Sequence, residues 1–302
     1  MPSDAPLNIC ILVCLLCWGA WGIFDKMALK HAPSTLVMLG LFSFAVPCAA
    51  VTVYFLNSQQ PGWSLSPEIF GWTFLGFFCY GAAMICYLKA LSISEASYVL
   101  GATASYPVLL QFLSMVFLKE PLVAARLAGS LLVALGVAAI GASKSEAKEP
   151  AVALSAEKKK LLISFVIAAT VLWGVWGIFD KKAVTAGGAL TAFLAHCIWE
   201  MIFIPPLCVY VFRKYKTYLN SGWKLWGPVT GSALCINIGS FSYMTALALA
   251  TASYVIVITG CYPMIMYLLA VVVLKERFNV IRLIGILLVT AGGIIAHGTE
   301  GM

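Results

Sequence analysis

Charge is what this chain has least of. Across 302 residues only 10% are Asp, Glu, Lys or Arg, and 62% are hydrophobic. A soluble domain carries about 25% charged residues, because it must present a wetted surface as well as a core. The mean hydropathy of +0.97 agrees. A soluble fold is excluded, and a polytopic, all-α membrane protein is expected. Histidine is scarce too: His31, His196 and His297 are all there are. That is too few for a His-rich metal centre, and no HExxH stretch occurs. No GxxxxGK[ST] phosphate loop is present either, so no ATPase drives the chain.

Ten cysteines are present, but they lie inside apolar runs, where a free thiol behaves as a small apolar residue. Cys10, Cys14 and Cys17 fall on one helical face and read as packing. No metal and no cofactor is expected. The net charge of +7 sits between apolar runs, the habit of cytoplasmic loops rather than of a nucleic-acid surface. The N-terminus lacks the basic region and cleavage site of a signal peptide, so its first apolar run reads as a retained span.

A hydrocarbon core about 30 Å thick needs about 20 apolar residues per helix. That ruler predicts spans over 7–29, 34–56, 68–91, 95–118, 122–142, 160–183, 189–212, 224–249, 251–274 and 279–297. The longest polar stretch, SKSEAKEPAVALSAEKKK, runs from Ser143 to Lys160. It divides the chain into a first five-helix unit (1–142), a linker (143–159) and a second five-helix unit (160–302).

The two units are copies. WGAWGIFDK starts at Trp18 and WGVWGIFDK at Trp173, an offset of 155. Ser97, Tyr98, Tyr106, Pro107, Lys119, Glu120 and Arg126 recur as Ser253, Tyr254, Tyr262, Pro263, Lys275, Glu276 and Arg282, an offset of 156. Five is odd, so the second copy enters the membrane the other way up. The halves are inverted repeats, the arrangement of carriers that alternate access around a midplane site.

Taken together, the Trp-Gly phrase ending in Asp-Lys, the AS…YP stretch with its Leu-Lys-Glu turn, and the Gly-rich closing helix resemble the EamA-like branch of the drug/metabolite transporter superfamily. The similarity covers nearly the whole chain. It implies a ten-helix carrier of small metabolites, often an exporter.

Several residues are candidates for a substrate site. Trp18, Trp21 and Asp25 share one helical stripe, and Trp173, Trp176 and Asp180 repeat it. An Asp at the bilayer centre costs about 2.5–3.5 kcal/mol. Two readings fit: Trp and Asp line a vestibule, or the tryptophans anchor at the interface while Lys26 and Lys181 snorkel. Pro107 and Pro263 fall within the fourth and ninth spans, leaving the carbonyls of Thr103 and Thr259 without a helical donor. Those kinked helices, with Tyr98, Tyr106, Tyr254 and Tyr262, either flank the site or simply pack. Glu200 has Ala45 at its equivalent position and His196 four residues before it. It is a proton-binding or amine-binding carboxylate, or a neutral group bonded between helices. Asn237, opposite Gly81 in the repeat, is a further polar candidate.

The expected function is secondary active transport of a small polar metabolite such as an amino acid, in the export direction, by alternating access. The partners are that solute, a proton or another coupling ion, and the bilayer. Sugars, nucleotides and lipophilic cations are alternative substrates. An intramembrane enzyme lacks a convergent catalytic set, and a scaffold leaves the inverted duplication unexplained. Compact loops favour a bacterial inner membrane.

The 143–160 stretch carries Lys144, Lys148, Lys158, Lys159 and Lys160, and the seventh-to-eighth loop carries Arg213, Lys214 and Lys216. The N-terminus and the second-to-third loop carry none. The charge pattern therefore places both termini outside, whereas carriers of the resembled family keep both inside. A reporter that is active on one side only, fused at each end, is expected to report the outer side. Cytoplasmic signal at both ends refutes the charge reading.

Overall fold

The computed structural model describes residues 5–94, 96–103, 105–142, 155–275 and 279–299. Among the described residues every regular element is helical. Helix α1 is Ala5–Ala28, α2 Ser34–Ser43, α3 Ala45–Gln59 and α4 Pro67–Ile93. Next come α5 Ala96–Thr103, α6 Tyr106–Leu113, which continues through a π turn over Ser114–Leu118, and α7 Ala124–Ala142. The second half holds α8 Ala156–Gly187, α9 Ala189–Tyr215, α10 Trp223–Leu249, α11 Ala252–Thr259, α12 Tyr262–Val273 and α13 Val280–His297. Eight stretches are long and apolar enough to cross a membrane, and Tyr106–Leu118 and Ala124–Ile140 are shorter apolar helices. The ten expected spans map onto these, with α2 and α3 forming one span, α5 and α6 another, and α11 and α12 a third. Most of the linker assigned to 143–159 lies outside the described residues.

Local chemistry sets the helix starts. The Ser66 hydroxyl accepts from the Ile69 amide at 3.2 Å, with Pro67 in the first turn. Ser155 does the same for Lys158 at 3.3 Å, and the Asn279 side chain accepts from Ile281 and Arg282. Outward faces are apolar: Tyr54, Phe78, Leu135 and Ile294 are each at least 59% exposed. In water that would be a liability, but in lipid it is the required surface.

The fourth and ninth spans differ from simple kinked helices. Each stops at a threonine, Thr103 or Thr259, and restarts at a tyrosine, Tyr106 or Tyr262. Pro107 and Pro263 thus occupy the first turn of α6 and α12, where the missing amide costs nothing. The threonine hydroxyls turn back to the Val99 and Val255 carbonyls, each at 2.9 Å.

The halves interlock. The first helix of each packs along the third helix of the other: α1 on α10 and α8 on α4. Lys26 donates to the carbonyls of Leu91 (2.7 Å) and Ser94 at the end of α4. Lys181 donates to those of Leu247 (2.6 Å) and Ala250 (2.8 Å) at the end of α10. Both ammoniums cap the negative pole of a helix of their own half. At the start of α11 the Glu120 carboxylate accepts from the Ala252 and Ser253 amides, at 2.8 and 2.9 Å. Glu120 follows Lys119, whose φ of +59° turns the chain in the left-handed region. Lys275 repeats that turn at +57°, while Glu276 lies outside the described residues.

The closing helices α7 and α13 meet backbone to backbone. A Cβ added at Gly136 would collide with the Gly285 carbonyl, and one at Gly129 with the Gly292 carbonyl. Small residues let membrane helices approach this closely. Gly136→Ala is therefore expected to destabilise the chain by about 1–3 kcal/mol through overpacking. Gly71→Ala, with nothing within 4 Å of the new methyl, is expected to leave stability unchanged or raise it slightly. Thermal unfolding in detergent compares the two, and equal midpoints would contradict the contact.

Candidate functional site

Between the halves lies a central cavity of about 20 Å³, lined by Trp18, Trp21, Tyr80, Tyr106, Trp173, Trp176, Ile236 and Tyr262. These eight residues are four pairs related by the duplication: Trp18 with Trp173, Trp21 with Trp176, Tyr106 with Tyr262, and Tyr80 with Ile236. Only the last pair is unlike. Each half supplies one wall.

The walls are joined by ring contacts that repeat about the pseudo-two-fold axis. Trp18 meets Trp176 at 6.1 Å between centroids, and Trp21 meets Trp173 at 5.9 Å. Trp18 contacts Tyr243 at 5.2 Å and Trp173 contacts Tyr87 at 5.5 Å. Tyr87 also lies 5.0 Å from Trp21, as Tyr243 lies 5.4 Å from Trp176. These tilted and edge-on geometries suit aromatic quadrupoles. Gly19 and Gly174, beside the tryptophans, make room for Ile265 and Leu109: a Cβ added at either would fall within 2.9 Å of that side chain.

The two aspartates sit one helical turn beyond the second tryptophan of each wall, and both are fully buried. They differ in their partners. Asp25 accepts from the Trp21 indole and from the Ser232 hydroxyl, the latter at 2.5 Å. Asp180 has no hydrogen-bond donor at either oxygen.

Unpaired polar atoms concentrate around this cavity. Among the described residues, buried side-chain atoms without a partner are found on Trp18, Trp176, Asp180, Tyr87, Tyr243, His196 and Ser114. All but Ser114 belong to the aromatic cage or its flank. An unpaired buried polar group costs about 1–3 kcal/mol. Such groups are clustered at one place, between the two halves.

The other candidates lie elsewhere. Tyr254 is buried near the start of α11, with its hydroxyl 2.8 Å from His297 Nδ1 and its ring 5.7 Å from Arg126. Tyr98, its equivalent, is half-buried and does not line the cavity. Asn237 donates to the Ala233 carbonyl at 2.9 Å and lines a separate apolar groove between α3, α9 and α10. Glu200 is buried, with Oε1 3.7 Å from His196 Nε2, a charge contact longer than a hydrogen bond. The His196 ring lies 5.2 Å from Tyr80, so this pair stands behind the cavity wall.

Tyr80, Tyr87 and Tyr243 were not singled out from the sequence. A signal was there: Tyr243 is Tyr87 displaced by the same 156 residues. Arg126 shows a role that repetition alone did not reveal. Its guanidinium donates to the hydroxyls of Thr251, Ser253 and Thr299, each at 3.0 Å, and to the Thr299 carbonyl at 3.1 Å. It ties α7 to the start of α11 and to the turn after α13.

Comparison with known proteins agrees with this architecture. A solved crystal structure superposes with a TM-score of 0.73 over 99% of this chain and 100% of its own, at 15% identity; at that identity the likeness concerns the fold alone. The uncharacterized protein MJ1333.1 of Methanocaldococcus jannaschii is 29% identical over 135 residues, which are 45% of this chain and 93% of that protein. Nearly all of that relative therefore matches about half of this chain. The model of the EamA-like transporter family matches twice, over 6–142 and 160–296, once for each wall of the cavity. The chain belongs to the EamA-like transporter family.

Proposed function

We propose that this chain is a secondary active exporter of small amine-bearing metabolites such as amino acids, working by alternating access. The observation that carries the reading is the central cage: four duplicated residue pairs, six of the eight positions being Trp or Tyr in matched pairs, with a buried carboxylate beyond each wall. Aromatic faces attract an ammonium group by about 0.5–2 kcal/mol each, and a buried carboxylate supplies the opposite charge. The cavity of about 20 Å³ admits one water-sized group. Substrate entry therefore requires the walls to part. The units 1–142 and 160–302, joined by the linker 143–159, are the bodies that rock. A bacterial inner membrane is the proposed location.

A second reading rests on the same lining, which is aromatic and apolar rather than studded with hydroxyls and amides. It would suit a lipophilic cation.

Counterflow in proteoliposomes decides between them, because it needs no knowledge of the coupling ion. Vesicles preloaded with amino acids, sugars, nucleosides or a lipophilic cation are offered each labelled solute in turn. Amino-acid accumulation is the expected result. Accumulation of the cation alone supports the second reading, and of sugars or nucleosides refutes both.

Equivalent walls predict equivalent losses. Trp18→Phe and Trp173→Phe are each expected to raise KM, by up to about tenfold for an aromatic contact of about 0.5–1.5 kcal/mol, with similar size in the two variants. A large effect in one and none in the other would mean that the walls are not equivalent.

A further inference from the structure

The two halves are nearly the same at the cage and differ just behind it. Ser232, which donates to Asp25, has Gly76 as its equivalent, 156 residues earlier. Gly76 packs against Asp180: a Cβ built there would lie 3.0 Å from Oδ1. Where one carboxylate meets a hydroxyl, the other meets a bare backbone. The indole donor is missing as well. Trp21 donates to Asp25, whereas Trp176 Nε1 and both Asp180 oxygens have no partner.

The second half also adds titratable groups that the first lacks. His196 and Glu200 stand at positions held by Leu41 and Ala45 at the offset of 155. Both are buried, their side chains are 3.7 Å apart, and His196 Nδ1 has no partner. His196 lies close enough to Asp180 for an electrostatic interaction. The other titratable groups around the cluster are Asp25 of α1, which with Asp180 and Glu200 acts on Tyr80, and Cys79 and Tyr80 of α4, Cys48 of α3, Cys197 of α9 and Tyr243 of α10.

An ionised carboxylate buried with no donor is among the costliest arrangements in a protein, and it is relieved by taking up a proton. At Asp25 two hydrogen bonds offset part of that cost. We propose that Asp180, backed by His196 and Glu200, is a proton-binding site that couples transport to a proton gradient. This deepens the carrier reading and rests on it. In the closed form the proton is bonded to an Asp180 oxygen. When the halves rock and water reaches the cluster, that proton leaves to the solution on that side, and Asp180 becomes an anion. A proton from the other side replaces it after the return step. No other bond is made or broken. Tyr80 links the two events, since its ring touches both His196 (5.2 Å) and the cage residue Trp176 (5.8 Å).

The test needs no substrate. Infrared difference spectra of the purified full chain in lipid are taken between acidic and alkaline buffer. The stretch of a protonated carboxyl is expected in the wild type and in Asp25→Asn, and is expected to disappear in Asp180→Asn. Asp180→Glu should restore it at a shifted position. Gly76→Ser, which offers a hydroxyl to the anion, should move its midpoint to lower pH. A band that persists at full size in Asp180→Asn, or disappears only in Glu200→Gln, overturns the assignment. In proteoliposomes offered the labelled amino-acid pool, Asp180→Asn is expected to lose the extra accumulation that an imposed pH gradient drives in the wild type, whatever counterflow it retains. Gradient-driven accumulation equal to wild type also overturns it. A wild type that shows no counterflow for any solute, with the carboxyl band intact, would count against the carrier reading and not against the proton site.

Discussion

Inside a bilayer a polar group has no water to fall back on, so each must find its partner within the chain. Most of the polar chemistry here is arranged by that constraint. Lys26 and Lys181 close the carbonyl ends of α4 and α10. Glu120 closes the amide end of α11, and Arg126 gathers three hydroxyls and a carbonyl from two other segments. Each of these side chains reaches an element distant in sequence, and Lys26, Glu120 and Arg126 together weld helix ends that would otherwise expose open backbone groups. The exceptions gather at the seam between the halves, around the aromatic cage.

The duplication made much of this legible in the sequence. Ten spans, the odd count per half and the inverted relation all follow from two copied phrases and an apolar ruler. The cage tryptophans and the tyrosines beside the prolines were legible as well, because repetition singles out residues that face a shared axis. Periodicity did not reveal what depends on contacts between halves. It placed Lys26 on a stripe but could not show that the end of α4 lies within its reach. It marked Pro107 as a helix disturbance but could not distinguish a kink from a stop and restart, since both leave the same apolar run. The task of Gly129 and Gly136 comes from their opposition to Gly292 and Gly285, which no sequence period encodes.

Tyr98, Tyr254 and Asn237 stand away from the cavity. Each is polar, intramembrane and prominent, yet Tyr254 bonds to His297 of α13, Asn237 bonds to the Ala233 carbonyl of its own helix, and none of the three lines the cavity. A polar residue in a span signals that a partner exists. It does not say whether that partner is a solute or a neighbouring helix. The distinction lies in whether the partner is already present, as His297 is for Tyr254.

Inverted symmetry has a mechanical consequence. If the two halves were identical, the forms open to either side would be equal in energy, and the solute and ion gradients alone would set the direction of net movement. Departures from symmetry are therefore where the two faces of the passage can differ. At the cage there is one, Tyr80 against Ile236. Behind it there are three more: Gly76 against Ser232, His196 against Leu41, and Glu200 against Ala45. All four affect the surroundings of the two aspartates, and the residues they place in contact adjoin one another from Trp176 through Tyr80 to His196. The copied residues build a passage that is the same from both sides, and the uncopied ones give its two carboxylates different surroundings.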